Sequence, residues 1–235
     1  MNEIVYNRKV NDKFYLMKVK DPSSCDMGQF VMVRTEDNFP LLSRPLGIFD
    51  SNAETTSFLY QTVGQGTQKL STMQAGQHVL LQGPNGTGFP HAEGKIALVG
   101  GGTGIAPLYY AGKKLKEQKN TIVDGYLGFS KEAILVDQYK EILDAVTVNV
   151  GGYIIQDIDV QAYDYIYACG PTIMMKLFSQ ICREKGVGEK LFVSLEARMG
   201  CGIGICLGCS IKTIHGNQRV CKEGPVFKAN EVFYE

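Results

Sequence analysis

The chain has 235 residues, enough for one large or two small domains at about 100–200 residues each. Its 44% hydrophobic and 20% charged content is ordinary for a globular protein and far from the disordered range. Lys+Arg and Asp+Glu both number 24, so there is no basic field to hold nucleic acid or an anionic membrane surface.

The apolar-looking stretch 96–112 is cut by Gly, Thr and Pro and falls short of the roughly 20 apolar residues a membrane span needs. The opening residues MNEIVYNRKVNDKF carry charges where a signal peptide needs an apolar core. The default expectation is therefore a cytoplasmic protein. Two counts depart from the average. Gly is 27 of 235, against roughly 7% usually. Cys is 7, an odd number with four of them clustered near the C-terminus, which suits metal or redox ligands better than a disulfide framework.

Residues 1–92 read as all-β. FYLMKVK (14–20), QFVMVRT (29–35), TTSFLYQTV (55–63) and QHVLLQGP (77–84) are short strand-like runs separated by Gly, Pro, Asp, Ser and Asn clusters. No helical period shows before Thr103, and closely spaced strands predict a small antiparallel β-barrel or a sandwich. From residue 93 to 195 strands alternate with helices, which predicts a parallel sheet covered on both faces. KIALVGG (95–101) reads as a buried strand and TGIAPLYYAGKKLKEQK (103–119) as a helix with a basic end. TIVDGYLGF (121–129), KEAILVDQYKEIL (131–143), AVTVNV (145–150), YDYIYACG (163–170), PTIMMKLFSQICREKG (171–186) and EKLFVSLEA (189–197) continue the alternation. Residues 196–235 are rich in Gly and Cys and poor in periodicity, so a metal centre is the expected organiser.

That tail carries the strongest chemical signal. Cys201, Cys206, Cys209 and Cys221 give C-x4-C-x2-C followed by a fourth Cys, the plant-type [2Fe–2S] spacing. Gly200, Gly202, Gly204 and Gly208 interleave them and let the backbone wrap closely. The competing reading is structural zinc, with His215 as the one nearby substitute ligand. Cys25 and Cys182 read as buried structural thiols.

Weaker signals lie upstream. The turn Gly100–Leu108, GGGTGIAPL, places Gly101, Gly102, Thr103 and Gly104 where a strand meets a helix. Such a turn lets a pyrophosphate approach the backbone, or merely solves a packing problem. Cys169, Gly170 and Pro171 end a later strand, and strand carboxyl ends line the ligand crevice of an open parallel sheet. Arg44, Pro45, Leu46 and Gly47, with Tyr60 and Gly64–Thr67, form a fourth group. Arg44 suits a phosphate, or else a surface ion pair, and the glycines suit a hairpin.

Taken together, the RPLG, GGGTGIAPL and CGP motifs in this order resemble the ferredoxin–NAD(P) reductase superfamily. The segment MGCGIGICLGC (199–209) resembles the electron-transfer subunits of NAD-dependent (type B) dihydroorotate dehydrogenases, over essentially the whole chain. The resemblance implies FAD in the barrel, NAD(H) on the α/β domain and a [2Fe–2S] cluster on the four cysteines. By motif match Arg44 would bind the FAD pyrophosphate, and Leu59, Tyr60, Gln61, Gly66 and Thr67, with Pro45, Leu46 and Gly47, would line the flavin site. Gly47 stands where the family usually has Ser, which removes a hydroxyl from the flavin's surroundings. Cys169 would be near the nicotinamide or be an idle buried thiol, and Glu196 either faces the flavin or is a surface glutamate. Lys131 is either a 2′-phosphate contact or a surface charge.

The implied function is electron transfer from NADH through FAD and the cluster, with no catalytic acid or base required, because a flavin handles hydride and single electrons alike. The implied partner is an FMN-containing dihydroorotate dehydrogenase catalytic subunit in pyrimidine synthesis, as a heterotetramer of two such pairs, with the cluster tail facing it. A reductase subunit of another complex (sulfide dehydrogenase, hydrogenase or ferredoxin reductase type) and a non-enzymatic redox sensor remain as alternatives.

Overall fold

The computed structural model describes residues 1–35 and 39–234, and the statements that follow refer to these. The N-terminal half contains β1 (Asn2–Lys9), β2 (Phe14–Lys20), β3 (Phe30–Thr35), β4 (Arg44–Gly47), β5 (Asp50–Ser51), β6 (Thr55–Gln61), helix α1 (Gln65–Ser71) and β7 (His78–Asn85). The strands form one antiparallel seven-stranded sheet in the order β4-β3-β7-β1-β2-β6-β5. It curls until β4 comes back against β6, giving the barrel-like form expected. Alternation sorts the side chains of β3. Val31 and Val33 join Ile4, Leu16, Phe58 and Leu46 inside the curl, while Phe30 and Met32 face outward yet are buried under the C-terminal tail.

Next come β8 (Gly94–Gly101), a 3-10 turn (Gly102–Ile105), α2 (Ala106–Lys116), β9 (Thr121–Phe129), α3 (Val136–Ile142), β10 (Ala145–Val150), β11 (Tyr165–Cys169), α4 (Thr172–Glu184) and β12 (Leu191–Ser194). The tail adds the hairpin β13 (Ser210–Thr213) and β14 (Gly216–Arg219), then β15 (Val226–Lys228) and α5 (Ala229–Val232). The second sheet runs β10-β9-β8-β11-β12-β15, parallel except for β15 at its edge. The strand order reverses between β8 and β11, and at such a point the strand carboxyl ends open a crevice.

The helices follow their residue patterns. On α4, Met175, Phe178, Ser179 and Cys182 recur every three or four positions and are all buried. Burying Phe178 alone stabilises the fold by about 1.5–3 kcal/mol. α2 opens on Pro107 in its first turn, where the missing N–H costs nothing. None of the helices is long and apolar enough to cross a membrane.

The two sheets are bound together at α2. Phe49 stacks on Tyr109 with ring centroids 4.4 Å apart and planes at 6°, and Lys113 pairs with Asp50 at 2.5 Å. The Tyr167 hydroxyl donates to the Pro90 carbonyl at 2.6 Å.

Three elements differ from the expectation. Helix α1 interrupts the supposed all-β segment; at seven residues with Leu70 its one large buried apolar side chain, it is too short to show a period. The helix expected over 131–143 spans only Val136–Ile142, because Leu135 takes a left-handed φ of 57° just before it. The tail is tied back to the rest over 224–228: β15 pairs with β12, and Thr87 N donates to the Gly224 carbonyl at 2.6 Å.

Candidate functional site

A cavity of ≈ 520 Å³ opens between the two sheets, within the usual range of ligand sites. Its walls gather Arg44, Pro45, Leu46 and Gly47 from β4, Leu59, Tyr60 and Gln61 from β6, Thr67 from α1, Thr103 from the turn after β8, and Cys169 from the end of β11. Residues far apart in sequence and predicted on separate grounds thus share one space.

Arg44 sits at the start of β4 and donates to the Leu42 carbonyl. Its guanidinium lies across α1, and a Cβ on Gly66 would coincide with it. Gly66 therefore does not line the cavity but makes room for the arginine that does. Thr67 fixes this corner by accepting from Val63 N at 2.9 Å and donating to the Gly64 carbonyl at 3.0 Å. Tyr60 is fully buried, stacked on Tyr15 at 5.8 Å, and its hydroxyl donates to Asn7 Oδ1 at 3.0 Å. Burial pushes the Tyr60 phenol well above its ordinary pKa, so it stays neutral and rigid.

The turn after β8 has divided duties. Thr103 faces the cavity, whereas Gly104 is a packing residue: a Cβ there would run into the Cys169 carbonyl. Gly101 is crowded by Met174 and Pro171, and Gly170 lies against Gly101. Gly102, with φ of +57° and open space around it, is the free apex of the turn. These positions and Pro171 lie at the crevice between β8 and β11, outside the cavity proper.

At the inner end, burial and the nearby Glu196 carboxylate keep the Cys169 thiol protonated. Glu196 also lines the cavity. It is open to the cavity's water, yet the surrounding protein desolvates its carboxyl and raises its pKa. Its exposure agrees with the surface reading and its place on the cavity wall with the inward-facing one. Sequence reasoning missed Phe30, Pro107, Ser194, Leu195, Met199 and Pro225, which also line the cavity. Of these, Pro107 lies in the GGGTGIAPL turn and Leu195 and Met199 lie just upstream of Cys201, whereas Phe30, Ser194 and Pro225 carry no such signal.

The four cysteines come together in two pairs. Cys206 N–H donates to Cys201 Sγ, and Cys221 N–H donates to Cys209 Sγ, each at 3.4 Å. Cys209 and Cys221 are buried and Cys206 is exposed. Backbone N–H groups of Cys206 and Ile203 pull the Cys201 thiol well below its ordinary pKa, while burial beside Cys209 pushes Cys221 up. Among the described residues no three His, Cys, Asp or Glu converge on one ion position, so the arrangement is paired rather than a single tetrad. His215 stands apart, facing Glu231 at 3.7 Å. The loop carrying Cys201 and Cys206 turns at Gly202 and Gly204, whose φ values of +71° and +81° favour glycine. Gly202 lies under Met32 of β3, which seats the loop on the first sheet.

One ion pair spans the thiol segments. Arg219 Nη1 donates to the Gly204 carbonyl at 2.8 Å and Nε to Glu223 Oε2 at 3.0 Å, while Nη2 meets Glu223 Oε1. The guanidinium holds the Glu223 carboxyl down to about 2.

A curled antiparallel sheet and a largely parallel one with a cavity between them, and a cysteine lobe beside it, define a ferredoxin reductase-like oxidoreductase with an iron–sulfur segment. The family model "Iron-sulfur cluster binding domain of dihydroorotate dehydrogenase B" matches residues 196–233. The chain is 40% identical to the "Dihydroorotate dehydrogenase B (NAD(+)), electron transfer subunit" of Clostridium acetobutylicum, over 99% of this chain and 96% of that protein. The chain belongs to the family of electron transfer subunits of dihydroorotate dehydrogenase B (NAD(+)). Among solved structures, the NADH-dependent reduced ferredoxin-NADP oxidoreductase matches with a TM-score of 0.89 and 31% identity, covering 99% of this chain and 89% of that one. A ferredoxin NADP+ reductase from Neisseria gonorrhoeae, with bound FAD and NADP, shares the fold at a TM-score of 0.67 and 17% identity, over 79% of this chain and 90% of that one.

Proposed function

We propose that this chain carries electrons between NADH and an FMN-containing dihydroorotate dehydrogenase catalytic subunit in pyrimidine synthesis, using FAD in the cavity and a [2Fe–2S] cluster on Cys201, Cys206, Cys209 and Cys221. The observation that carries the reading is continuity: the cavity wall Leu195–Met199 runs directly into the loop of Cys201. FAD, when bound, takes hydride as an electron pair and passes electrons on singly to an iron–sulfur cluster.

The cavity's residues suit FAD, and the four free thiols are the donor type an iron–sulfur cluster takes. Arg44, laid over Gly66, offers a charged fork for the pyrophosphate. Pro45, Leu46, Gly47, Leu59, Tyr60, Gln61 and Thr67 give a mostly apolar wall for the ring system. Gly101–Gly104 and Cys169–Pro171 meet at the crevice, where NADH would approach the cavity. Cys169 and Glu196 bound the inner end and present a neutral thiol and a carboxyl with a raised pKa. Phe30, Met32, Met199, Cys209 and Cys221 belong to one buried cluster, so water is kept out between cavity and thiols.

Ile203, Ile205 and Leu207 are exposed at 45%, 75% and 61% beside the cysteines. They form an apolar rim for the catalytic subunit, within a heterotetramer of two such pairs. Thiols kept free for a cluster suit a reducing cytoplasm.

The test is anaerobic purification from the native host with any bound partner, followed by NADH addition. Bleaching of flavin and cluster together with orotate reduction by a co-purifying flavin chain is the expected result. Bleaching without orotate turnover would favour the alternative raised by the likeness to the ferredoxin-NADP oxidoreductase, a reductase subunit of another complex. Absence of bleaching would refute the electron path.

A further inference from the structure

The cysteine lobe has no regular element linking its two thiol pairs. Cys201 and Cys206 lie in an irregular loop, whereas Cys209 and Cys221 flank the small β13–β14 hairpin. One side chain bridges them. Arg219 pairs with Ser210 in the hairpin, and Val220, next to it, donates its N–H to the Cys209 carbonyl at 3.1 Å. From this position the Arg219 guanidinium reaches Gly204, midway between Cys201 and Cys206, at 2.8 Å. Beyond Cys221 the chain turns back, with Lys222 N and Glu223 N both donating to the Arg219 carbonyl at 3.0 Å. The Glu223 carboxylate then closes on the same guanidinium and also accepts from Arg219 N at 2.7 Å. Arg219 and Glu223 thus form a ring around Cys221 with a strut to the other thiol pair. Gly204 permits the strut, since a Cβ there would press on Lys222 at 2.9 Å and on Arg219 Nη1 at 3.4 Å.

The pair is three-quarters shielded, with side-chain exposures of 26% and 28%, so its charges are screened less than surface ones. A cluster held by four thiolates is anionic, and each electron it accepts adds negative charge. Net charge and hydrogen bonding around the sulfurs set its potential. A fixed cation eases reduction, and a carboxylate beside it moderates the effect.

We infer that Arg219 and Glu223 are positioning residues for the iron–sulfur cluster: their ion pair locks the two cysteine pairs into one ligand set, and the Arg219 charge sets the cluster's readiness to accept an electron. This rests on the four cysteines being the cluster site, as proposed above.

The test uses the full chain with its co-purified partner, as wild type and as Arg219→Gln, Arg219→Lys, Glu223→Gln and, as a control, Lys222→Gln, a substitution of an exposed cation beside the same loop. Iron content, the paramagnetic resonance spectrum of the reduced cluster and its reduction potential are measured. Arg219→Gln should move the potential negative and Glu223→Gln positive, while Lys222→Gln leaves it nearly unchanged. Arg219→Lys should keep the potential near wild type yet lose iron to a chelator about tenfold faster, because a point charge replaces a charge-assisted fork. Should Arg219→Gln fail to fold, the contrast between Arg219→Lys (unchanged potential, faster iron loss) and Glu223→Gln (positive shift) still decides. Wild-type potentials in all variants, or shifts of one sign, would overturn the inference while leaving the cluster assignment intact. Wild-type protein purified without iron would overturn the cluster assignment and the inference with it.

Discussion

Replacing Gly66 with Ala separates a ligand effect from a folding effect. The new Cβ would coincide with the guanidinium of Arg44, the free end of a flexible side chain, so the arginine moves and the backbone stays. Gly66 lies within α1, outside the left-handed region, where Ala is better than Gly by about 0.5–1 kcal/mol. The unloaded protein should therefore melt no lower than wild type. A displaced Arg44 forfeits a charge-assisted hydrogen bond to the pyrophosphate, about 1.5–3 kcal/mol, or about 10- to 150-fold in FAD affinity. Fluorescence titration of apoprotein with FAD measures this directly. The double variant Arg44→Ala/Gly66→Ala should bind as weakly as Arg44→Ala alone, since both remove the same contact. Wild-type affinity for Gly66→Ala, or losses that add in the double variant, would refute the assignment of Arg44 to the pyrophosphate.

Three further outcomes are expected. Gly104→Ala places a Cβ against the Cys169 carbonyl, backbone that cannot give way, and should cost about 1–3 kcal/mol in urea unfolding; unchanged stability would remove its packing role. Gly47→Ser, whose Cβ would stand 3.6–3.8 Å from Pro107, should keep stability within about 0.5 kcal/mol and shift the potential of the bound flavin through its new hydroxyl. An unshifted potential would place Gly47 away from the flavin's reactive edge. In the apoprotein, the Glu196 carboxyl has its pKa raised above 4.5 by burial, so the folded state holds the extra proton. Wild-type stability relative to Glu196→Gln should then be greatest below 4.5 and fall as pH rises through the raised folded value; a flat difference in urea unfolding across that window contradicts the desolvated carboxyl.

The sequence pattern revealed what recurs along the chain or is chemically dense. The βα alternation from Gly94 onward gave the parallel sheet because its strands are continuously apolar, as Ile96–Val99 are. The cysteine spacing marked the thiol lobe before any fold was known. Short or strained elements left no period: α1 depends on Gly64 and Thr67, and α3 starts late at the left-handed Leu135. The glycines were legible as a group but not by duty. Gly104 makes room for a backbone carbonyl and Gly66 for a guanidinium, and both distinctions depend on residues distant in sequence. The same limit hid the bridging by Arg219, whose contact with Gly204 crosses a hairpin.

The pairing of β15 with β12 carries a topological consequence. Ser194 and Val226 lie opposite each other on adjacent antiparallel strands, one strand spacing apart, about 4.8 Å. The thiol lobe leaves the sheet and returns to it through the same narrow doorway, so it is a self-contained insertion between two neighbouring strands. Its entrance strand also ends at the cavity. A lineage gaining or shedding such a lobe changes the destination of the electrons while leaving the rest of the sheet in place.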